Sequence, residues 1–455
     1  MKFRLTLAAT LLLGALPLKA HAQTQPWLAD RRYGDGIGVR VGNLELHPGI
    51  AGEVGYDSNY FLRANDDTAF GPVIAAYRLR VTPSITLETL GAERREGLTP
   101  AEPAPVQFRA GAYASYNELI AADSKYSTQM SDQRHVDAGG DLTLNLFPVG
   151  RAGVDAYANV VHAVQPSNDI DTENAFDRDS IRVGTGATWR PGGGLFSWRL
   201  GYELLYNFFE DSPYKDLNNY QNQVNMRGRW RFLPRTALLY EGAYTWVTYS
   251  KNTVQSDGSI VRSSIGLNGL VTNHFALLGL VGWAGTFYGE HNGIAPQQFD
   301  SLVAQAELKW YLNGQQTLEA TSAPVGLSWV ALGYTRNVGN SYLGDFYQSD
   351  RGYLQLSYLL GGVFVASLNA GVANLSFPKN QQTPNAFSEQ RIDGTLFGEY
   401  RVSDTVGINA TVNYIDNITS EKLDLVNAAG MPDPSRQDDL AFQEFQVFLG
   451  ARWFL

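Results

Sequence analysis

From Phe196 to Phe208 every second residue is apolar or aromatic: Phe196, Trp198, Leu200, Tyr202, Leu204, Tyr206 and Phe208. Ser197, Arg199, Gly201, Glu203, Leu205 and Asn207 lie between them. After a polar break the pattern resumes, with Val224, Met226, Gly228, Trp230 and Phe232 alternating against Gln223, Asn225, Arg227, Arg229 and Arg231. Period-2 alternation of this length predicts two antiparallel strands with one apolar and one charged face. The runs exceed the usual globular strand, and Trp and Tyr recur toward the ends of the apolar rows, as in the aromatic girdles of membrane barrels.

The same unit recurs along the chain. Leu44, Leu46, Ile50, Val54 and Tyr56 oppose Glu45, His47, Glu53 and Asp57; Tyr77, Leu79, Val81, Ile85 and Leu87 oppose Arg78, Arg80, Thr82, Ser84, Thr86 and Glu88. Eighteen such segments are expected, centred near residues 50, 81, 113, 139, 157, 184, 202, 227, 242, 265, 281, 306, 328, 356, 369, 395, 409 and 447. In residues 275–288 and 325–334 both faces are apolar, so alternation gives no inside or outside there. From the third segment onward the connections alternate in length. The short ones carry turn residues: Phe147-Pro148-Val149-Gly150, Arg190-Pro191-Gly192-Gly193-Gly194, Leu233-Pro234-Arg235-Thr236, Thr272-Asn273-His274, Asn313-Gly314, Gly361-Gly362 and Ser403-Asp404. The long ones, such as 165–178, 337–351, 376–389 and 416–439, are polar and often acidic. Short periplasmic turns and long outer loops are the layout of outer-membrane barrels.

The predicted fold is therefore all-β: a closed antiparallel transmembrane barrel of about eighteen strands over residues 37–455. Closure follows from lipid, where an unpaired backbone group costs several kcal/mol. The last apolar row, Phe445, Val447, Leu449, Ala451, Trp453 and Leu455, faces outward and has the aromatic character of a terminal strand read by barrel-assembly machinery.

Composition narrows the alternatives. No uncharged apolar run of helix-spanning length occurs beyond the N-terminal region, which argues against a helical membrane protein. That region itself has the form of a secretory signal over residues 1–22: Lys2 and Arg4, an apolar stretch at 5–18, then Ala20-His21-Ala22. Its removal takes away Lys2, Arg4 and Lys19 and no acid, so the formal charge of −10 becomes −13 and a nucleic-acid partner is disfavoured. Residues 23–36 form a short polar segment expected in the periplasm, too small to plug a barrel. With no cysteine, disulfides and thiolate metal sites are excluded.

Candidate chemistry follows from the barrel. An Arg on the lipid face at mid-depth would cost roughly 2–4 kcal/mol, so the charged rows must face the lumen. Arg182, Arg190, Arg199, Arg227, Arg229 and Arg231 fall on three adjacent strands, with Glu203 among them and Asp137, Asp141 and Asp155 on the preceding strands. This set could order an anionic or polar permeant, or could form lumenal ion pairs that stabilise a water-filled barrel. Asp169-Ile170-Asp171-Thr172-Glu173 approaches a calcium-loop spacing, but Asn174 stands where the sharp turn needs Gly, and a solvated acidic loop fits equally. Ala110, Ala112, Ala114, Ala138, Gly140, Ala156, Ala158 and Ala187 make an outward row of small residues, suited to an oligomer contact or to lipid. His47, His135, His162, His274 and His291 fall at scattered depths and on different faces. No nucleophile elbow, zinc-protease motif or phosphate loop is present. No enzyme, metal site or cofactor is therefore expected.

Leu46-His47-Pro48-Gly49-Ile50 followed by Gly55-Tyr56-Asp57-Ser58-Asn59-Tyr60-Phe61 resembles the opening of the outer-membrane β-barrel porin type 2 family, with Tyr60 where that family more often has Val. Members of such families accompany exopolysaccharide synthesis. The resemblance implies an outer-membrane conduit working with a periplasmic polysaccharide-export protein, which would dock at residues 91–104 and 24–36. A general or substrate-selective diffusion porin is the alternative, and a structural or adhesive barrel the next. Oligomeric state is left open.

Overall fold

A computed structural model of the chain describes residues 38–65, 71–90, 104–164, 178–210, 217–251, 256–290, 298–312, 328–341, 346–361, 363–379, 385–426 and 432–455. The expected signal segment at 1–22, residues 23–36, the Asp169–Glu173 motif, His291 and nearly all of the 91–104 connection lie outside the described residues.

The strands, in chain order, are β1 (Val39–Val41), β2 (Leu44–Asp57), β3 (Ala76–Thr89), β4 (Val106–Ala121), β5 (His135–Leu146), β6 (Ala152–Ala163) and β7 (Arg178–Trp189). Then come β8 (Phe196–Phe209), β9 (Asn219–Leu233), β10 (Thr236–Tyr249), β11 (Gly258–Leu270), β12 (Phe275–Tyr288), β13 (Asp300–Tyr311) and β14 (Trp329–Asn340). The last are β15 (Phe346–Leu360), β16 (Phe364–Phe377), β17 (Phe387–Ser403), β18 (Val406–Ile418), β19 (Lys422–Val426), β20 (Pro432–Asp439) and β21 (Phe442–Phe454). β2 to β18 pair antiparallel with their neighbours in turn, β18 pairs with β21, and β21 returns to β2 from Gly49↔Phe454 to Asp57↔Gln446. These eighteen strands close a barrel and leave no edge. β1 fills the stretch of β2 that β21 does not reach, and β19–β20 form a separate hairpin in the final long loop.

Every expected segment is present, with one displaced. The segment centred near 328 begins only at Trp329, so residues 312–328 separate β13 from β14, a longer connection than the expected Asn313-Gly314, which lies outside the described residues. Both faces of 325–334 are apolar, and a pattern without polar positions has no phase to fix the strand's start. β12 resolves the other ambiguous stretch: Leu277, Val281, Trp283 and Phe287 are exposed outward, while Leu280, Ala284 and Tyr288 are buried inside. The 416–439 loop is also more ordered than its polarity implies, because β18 runs on to Ile418 and β19–β20 follow.

The outer surface is built for lipid. At the short-turn end Trp189, Trp230, Phe232, Trp310, Tyr400 and Trp453 are exposed; at the long-loop end Tyr56, Tyr77, Tyr116, Tyr220, Tyr244 and Phe445 are. Between the belts lie exposed aliphatics such as Leu79, Val183, Leu302, Leu332 and Leu449. An apolar band between two amphipathic aromatic girdles would be an aggregation surface in water and is stable in a bilayer. The chain is a closed antiparallel β-barrel with an exterior suited to a bilayer.

The long loops do not all project outward. Tyr60, Phe61 and Leu62, which follow β2, are buried within the mouth. Tyr60 and Phe61 pack with Ile74, Ala76, Leu119 and Met130, the last carried by the short helix α1 (Ser127–Ser131). Leu62 reaches Ile415 and Phe442 on the inner faces of β18 and β21. The Gly55–Asn59 box builds this turn-in. A Cβ on Gly55 would lie 2.2 Å from the Phe448 ring, so glycine lets that ring lie across β2. Asp57 meets Arg78 at 3.3 Å and accepts from Gln446 at 2.9 Å. Asn59 donates from Nδ2 to the carbonyls of Arg63 (2.8 Å) and Gln443 (3.0 Å), and its Oδ1 accepts from the Arg63 N–H at 3.0 Å. One side chain thus ties the first loop to itself and to the last strand.

Candidate permeation site

The lumen has two unlike walls. On β15, β17, β21, β2 and β3 most inward charges are buried, and several are paired. Arg80 meets Glu53 at 3.0 Å, Arg351 meets Asp393 at 2.5 Å, and Arg452 donates to both oxygens of Glu399 at 2.5 and 2.7 Å. Phe397 packs on Ala51 across the two strands between them. Near the long-loop end, Tyr347, Leu375, Phe377 and Leu440 form one apolar cluster. Ile260, Tyr288, Phe299, Val303 and Phe346 form another over β11–β15. These walls are filled, and the first loop covers part of them.

On β5–β9 the inward side chains are buried toward the long-loop end, as at Asn207, Phe209 and Asn219, and only partly buried below it, where the arginines that alternation singled out stand. Register sets Arg199 of β8 directly against Arg227 of β9, a like-charge pair that would be unfavourable left alone. Arg199 turns the other way. Its Nε and Nη2 donate to the two oxygens of Asp155 at 2.9 and 2.5 Å, and its Nη1 donates to Asn225 at 2.8 Å. Two glycines make room: a Cβ on Gly186 or Gly201 would lie 2.3 or 2.5 Å from the guanidinium. Tyr157 donates to Glu203, which also stands 3.8 Å from Arg182. These pairs are a fifth to a third exposed, so water screens them and each contributes little to stability.

Of the ten expected lumenal residues, the structure brings Arg182, Arg199, Glu203 and Asp155 into one network, with Arg227 beside it. Arg229 and Arg231 continue down β9 at about 7 Å intervals, as alternate residues of a strand must. Among the described residues neither has an ion-pair partner. Arg190 lies at the short-turn end and donates to the Gly150 carbonyl at 3.3 Å. Two acids do not join the arginines as a facing constriction. Asp137 is held toward the long-loop end by Asn117 (2.9 Å), the Val164 N–H (3.1 Å) and His135 (3.6 Å). Asp141 shares the inward face of β5, one strand further from the arginines than Asp155. Alternation marked faces but not depth or reach, so Tyr157 and Asn225 went unnoticed though both stand in the inward rows.

The small residues of the outward row do collect: register sets Ala112 against Gly140 and Ala114 against Ala138. Two histidines expected to be scattered stand beside carboxylates. His162, Asp179 and Glu210 meet on the outer face at the long-loop end, and Glu45, His47 and Glu88 on the inner face at the other.

The sequence matches no protein-family model and no curated protein. Among solved structures, similarity extends to OpdK of Pseudomonas aeruginosa with vanillate (10% identity, 90% of this chain and 99% of that one, TM-score 0.44). OccAB4 of Acinetobacter baumannii gives 12% identity over 90% and 98% of the two chains at TM-score 0.44. The FrpB iron transporter of Neisseria meningitidis, F5-1 variant, gives 9% identity over 92% and 82% at TM-score 0.46. Likeness this distant leaves the function to be read from the chain's own residues.

Proposed function

We propose that this protein is a substrate-selective diffusion channel of the Gram-negative outer membrane, passing small anionic or polar solutes along the β5–β9 wall. The observation that carries the reading is Arg229 and Arg231: two partly exposed lumenal cations without ion-pair partners among the described residues, in line with Arg227. On the opposite wall Arg80, Arg351 and Arg452 are buried against Glu53, Asp393 and Glu399, so a permeant anion gains more on this side. A fixed cation in a narrow, partly desolvated lumen attracts anions more strongly than one in bulk water. The channel supplies no driving force and does no covalent chemistry. Bilayer recordings under a salt gradient test this. The wild-type reversal potential should show anion preference, and Arg229→Glu with Arg231→Glu should abolish or invert it. A cation-preferring or charge-blind wild-type channel would refute the proposal.

A second reading, export of a secreted polysaccharide handed over by a periplasmic partner, is favoured by the resemblance of the Gly55–Asn59 box to porin type 2 proteins. Deletion of the gene should then abolish the secreted polysaccharide. Unchanged secretion would remove this reading and leave the first intact.

A further inference from the structure

At the short-turn end, where β1, β2 and β21 meet, Glu45 and His47 of β2 and Glu88 of β3 converge on the lumenal face. Glu45 is 5% exposed and His47 7%. His47 Nδ1 lies 3.2 Å from the Leu455 backbone oxygen, which can only accept, so Nδ1 donates in that contact and Nε2 is the ring nitrogen left for a ligand. That nitrogen is buried without a hydrogen-bond partner, 3.7 Å from Glu45 Oε1 and 3.8 Å from Glu88 Oε1. A buried imidazole nitrogen without a hydrogen-bond partner, facing two carboxylate oxygens, is a place suited to hold a cation.

We infer that Glu45, His47 and Glu88 form a binding site for a divalent first-row transition ion, with zinc the natural probe. The three donor atoms lie within 4.8 Å of one another. Metal bonds of about 2.0–2.2 Å at tetrahedral angles separate donors by roughly 3.4 Å, so His47 Nε2 needs to approach each carboxylate by only a few tenths of an ångström. Imidazole with two carboxylates suits zinc, whereas calcium and magnesium prefer all-oxygen sets. The Leu455 carbonyl supplies the outer hydrogen bond that orients a metal-binding histidine. Gly38, at φ +70°, roofs the group; a Cβ there would lie 2.6 Å from Glu45 Cγ and His47 Cε1. The ion would pin β2 to β3 beside the seam where the barrel closes.

The test uses the full chain, purified in detergent and stripped with chelator, with zinc alone as ligand. Wild type should bind zinc with micromolar or tighter affinity by titration calorimetry and elemental analysis, and zinc should raise its melting temperature. His47→Ala and the near-isosteric Glu88→Gln should each remove one ion per chain, weakening that site at least about 100-fold, beyond what losing an outer-shell partner costs. Both should retain the heat-modifiable gel mobility of a folded barrel. His162→Ala, in the group on the opposite end and face, should leave this ion in place. Zinc binding and stabilisation unchanged in both His47→Ala and Glu88→Gln would overturn the inference, as would a wild-type chain that binds no zinc and holds these groups as an imidazolium–carboxylate cluster.

Discussion

Asn59→Ala is the sharpest perturbation of the channel mouth. The side chain is 2% exposed, and its three hydrogen bonds, of 2.8, 3.0 and 3.0 Å, fix the first loop to Arg63 and to Gln443 of β21. Each bond contributes about 1 kcal/mol net against water, and only the one to Gln443 crosses from the loop to the barrel, so docking loses about 1 kcal/mol relative to release. At 1.4 kcal/mol per tenfold, the docked-to-released ratio should fall by about fivefold. The apolar contacts of Tyr60, Phe61 and Leu62 are untouched, so the loop should remain docked most of the time. Leu62 supplies part of the tendency to open, since it is held at φ +50°, a conformation costing an L-residue roughly 1–2 kcal/mol. The chain has no cysteine, so Ala64→Cys, at a site 7% exposed, gives a single reporter. Its labelling by a bulky maleimide should quicken by about fivefold when Asn59→Ala is added, because labelling follows the released population when opening is fast. Bilayer recordings should show rare higher-conductance dwells becoming frequent. Labelling within threefold of the parent, with an unchanged conductance distribution, would show that Asn59 is not the latch.

Three further outcomes follow from the same coordinates. Val183→Arg places a charge on the lipid face at the middle of β7 and should cost roughly 2–4 kcal/mol, read from urea unfolding in lipid vesicles. Arg452→Ala strips the two-pronged partner from Glu399, which is 1% exposed; breaking such a pair costs about 3–5 kcal/mol, toward the lower figure because Arg401 stands 3.6 Å away. Adding Glu399→Gln to it should restore part of the loss in the same assay. Gly186→Val drives a side chain into the Arg199 guanidinium and should lower unitary conductance without reversing selectivity, since no charge is lost; a reversal would refute the assigned role of Arg229 and Arg231.

The barrel was legible because lipid and water impose opposite demands on alternate residues. Trp198, Leu200 and Tyr202 could not face water while Arg199 and Glu203 faced lipid, so one hairpin set the orientation of the rest. The strand near 328 was misplaced where that contrast failed. Inside the lumen the contrast gives less, because a polar interior admits charge, amide, aromatic or apolar residues alike. Nothing in the alternation distinguishes Glu399, buried and bound by Arg452, from Glu203, partly exposed beside Arg182. That distinction arises from which loops fold inward, and Tyr60, Phe61 and Phe299 read in the sequence as loop residues no different from those that project outward. The Gly55–Asn59 box carried a resemblance; its residues turn out to perform an architectural task, seating Phe448, Arg78 and the first loop. The convergence of His47 with Glu88 depends on the pairing of β2 with β3 and on Leu455, hundreds of residues away.

The position of the first loop also separates the two transport readings. A small anion following Arg227, Arg229 and Arg231 stays on the β5–β9 wall, and the docked loop, packed on β2–β4, β18 and β21, need not move for it to pass. A polysaccharide emerging as a chain would fill the mouth for long periods. Its partner would then have to displace the loop against the Asn59 bonds and the burial of Tyr60, Phe61 and Leu62, at about 1.5–3 kcal/mol for each fully buried large side chain. The two readings therefore place opposite values on the latch. If the channel serves diffusion, Asn59→Ala should raise conductance while leaving secreted polysaccharide unchanged. If it serves export, the same substitution should ease emergence of the polymer and lessen its dependence on the periplasmic partner. Measuring secreted polysaccharide beside solute flux in one Asn59→Ala strain decides between them, because flux reports release of the latch under either reading and the polysaccharide responds only under export.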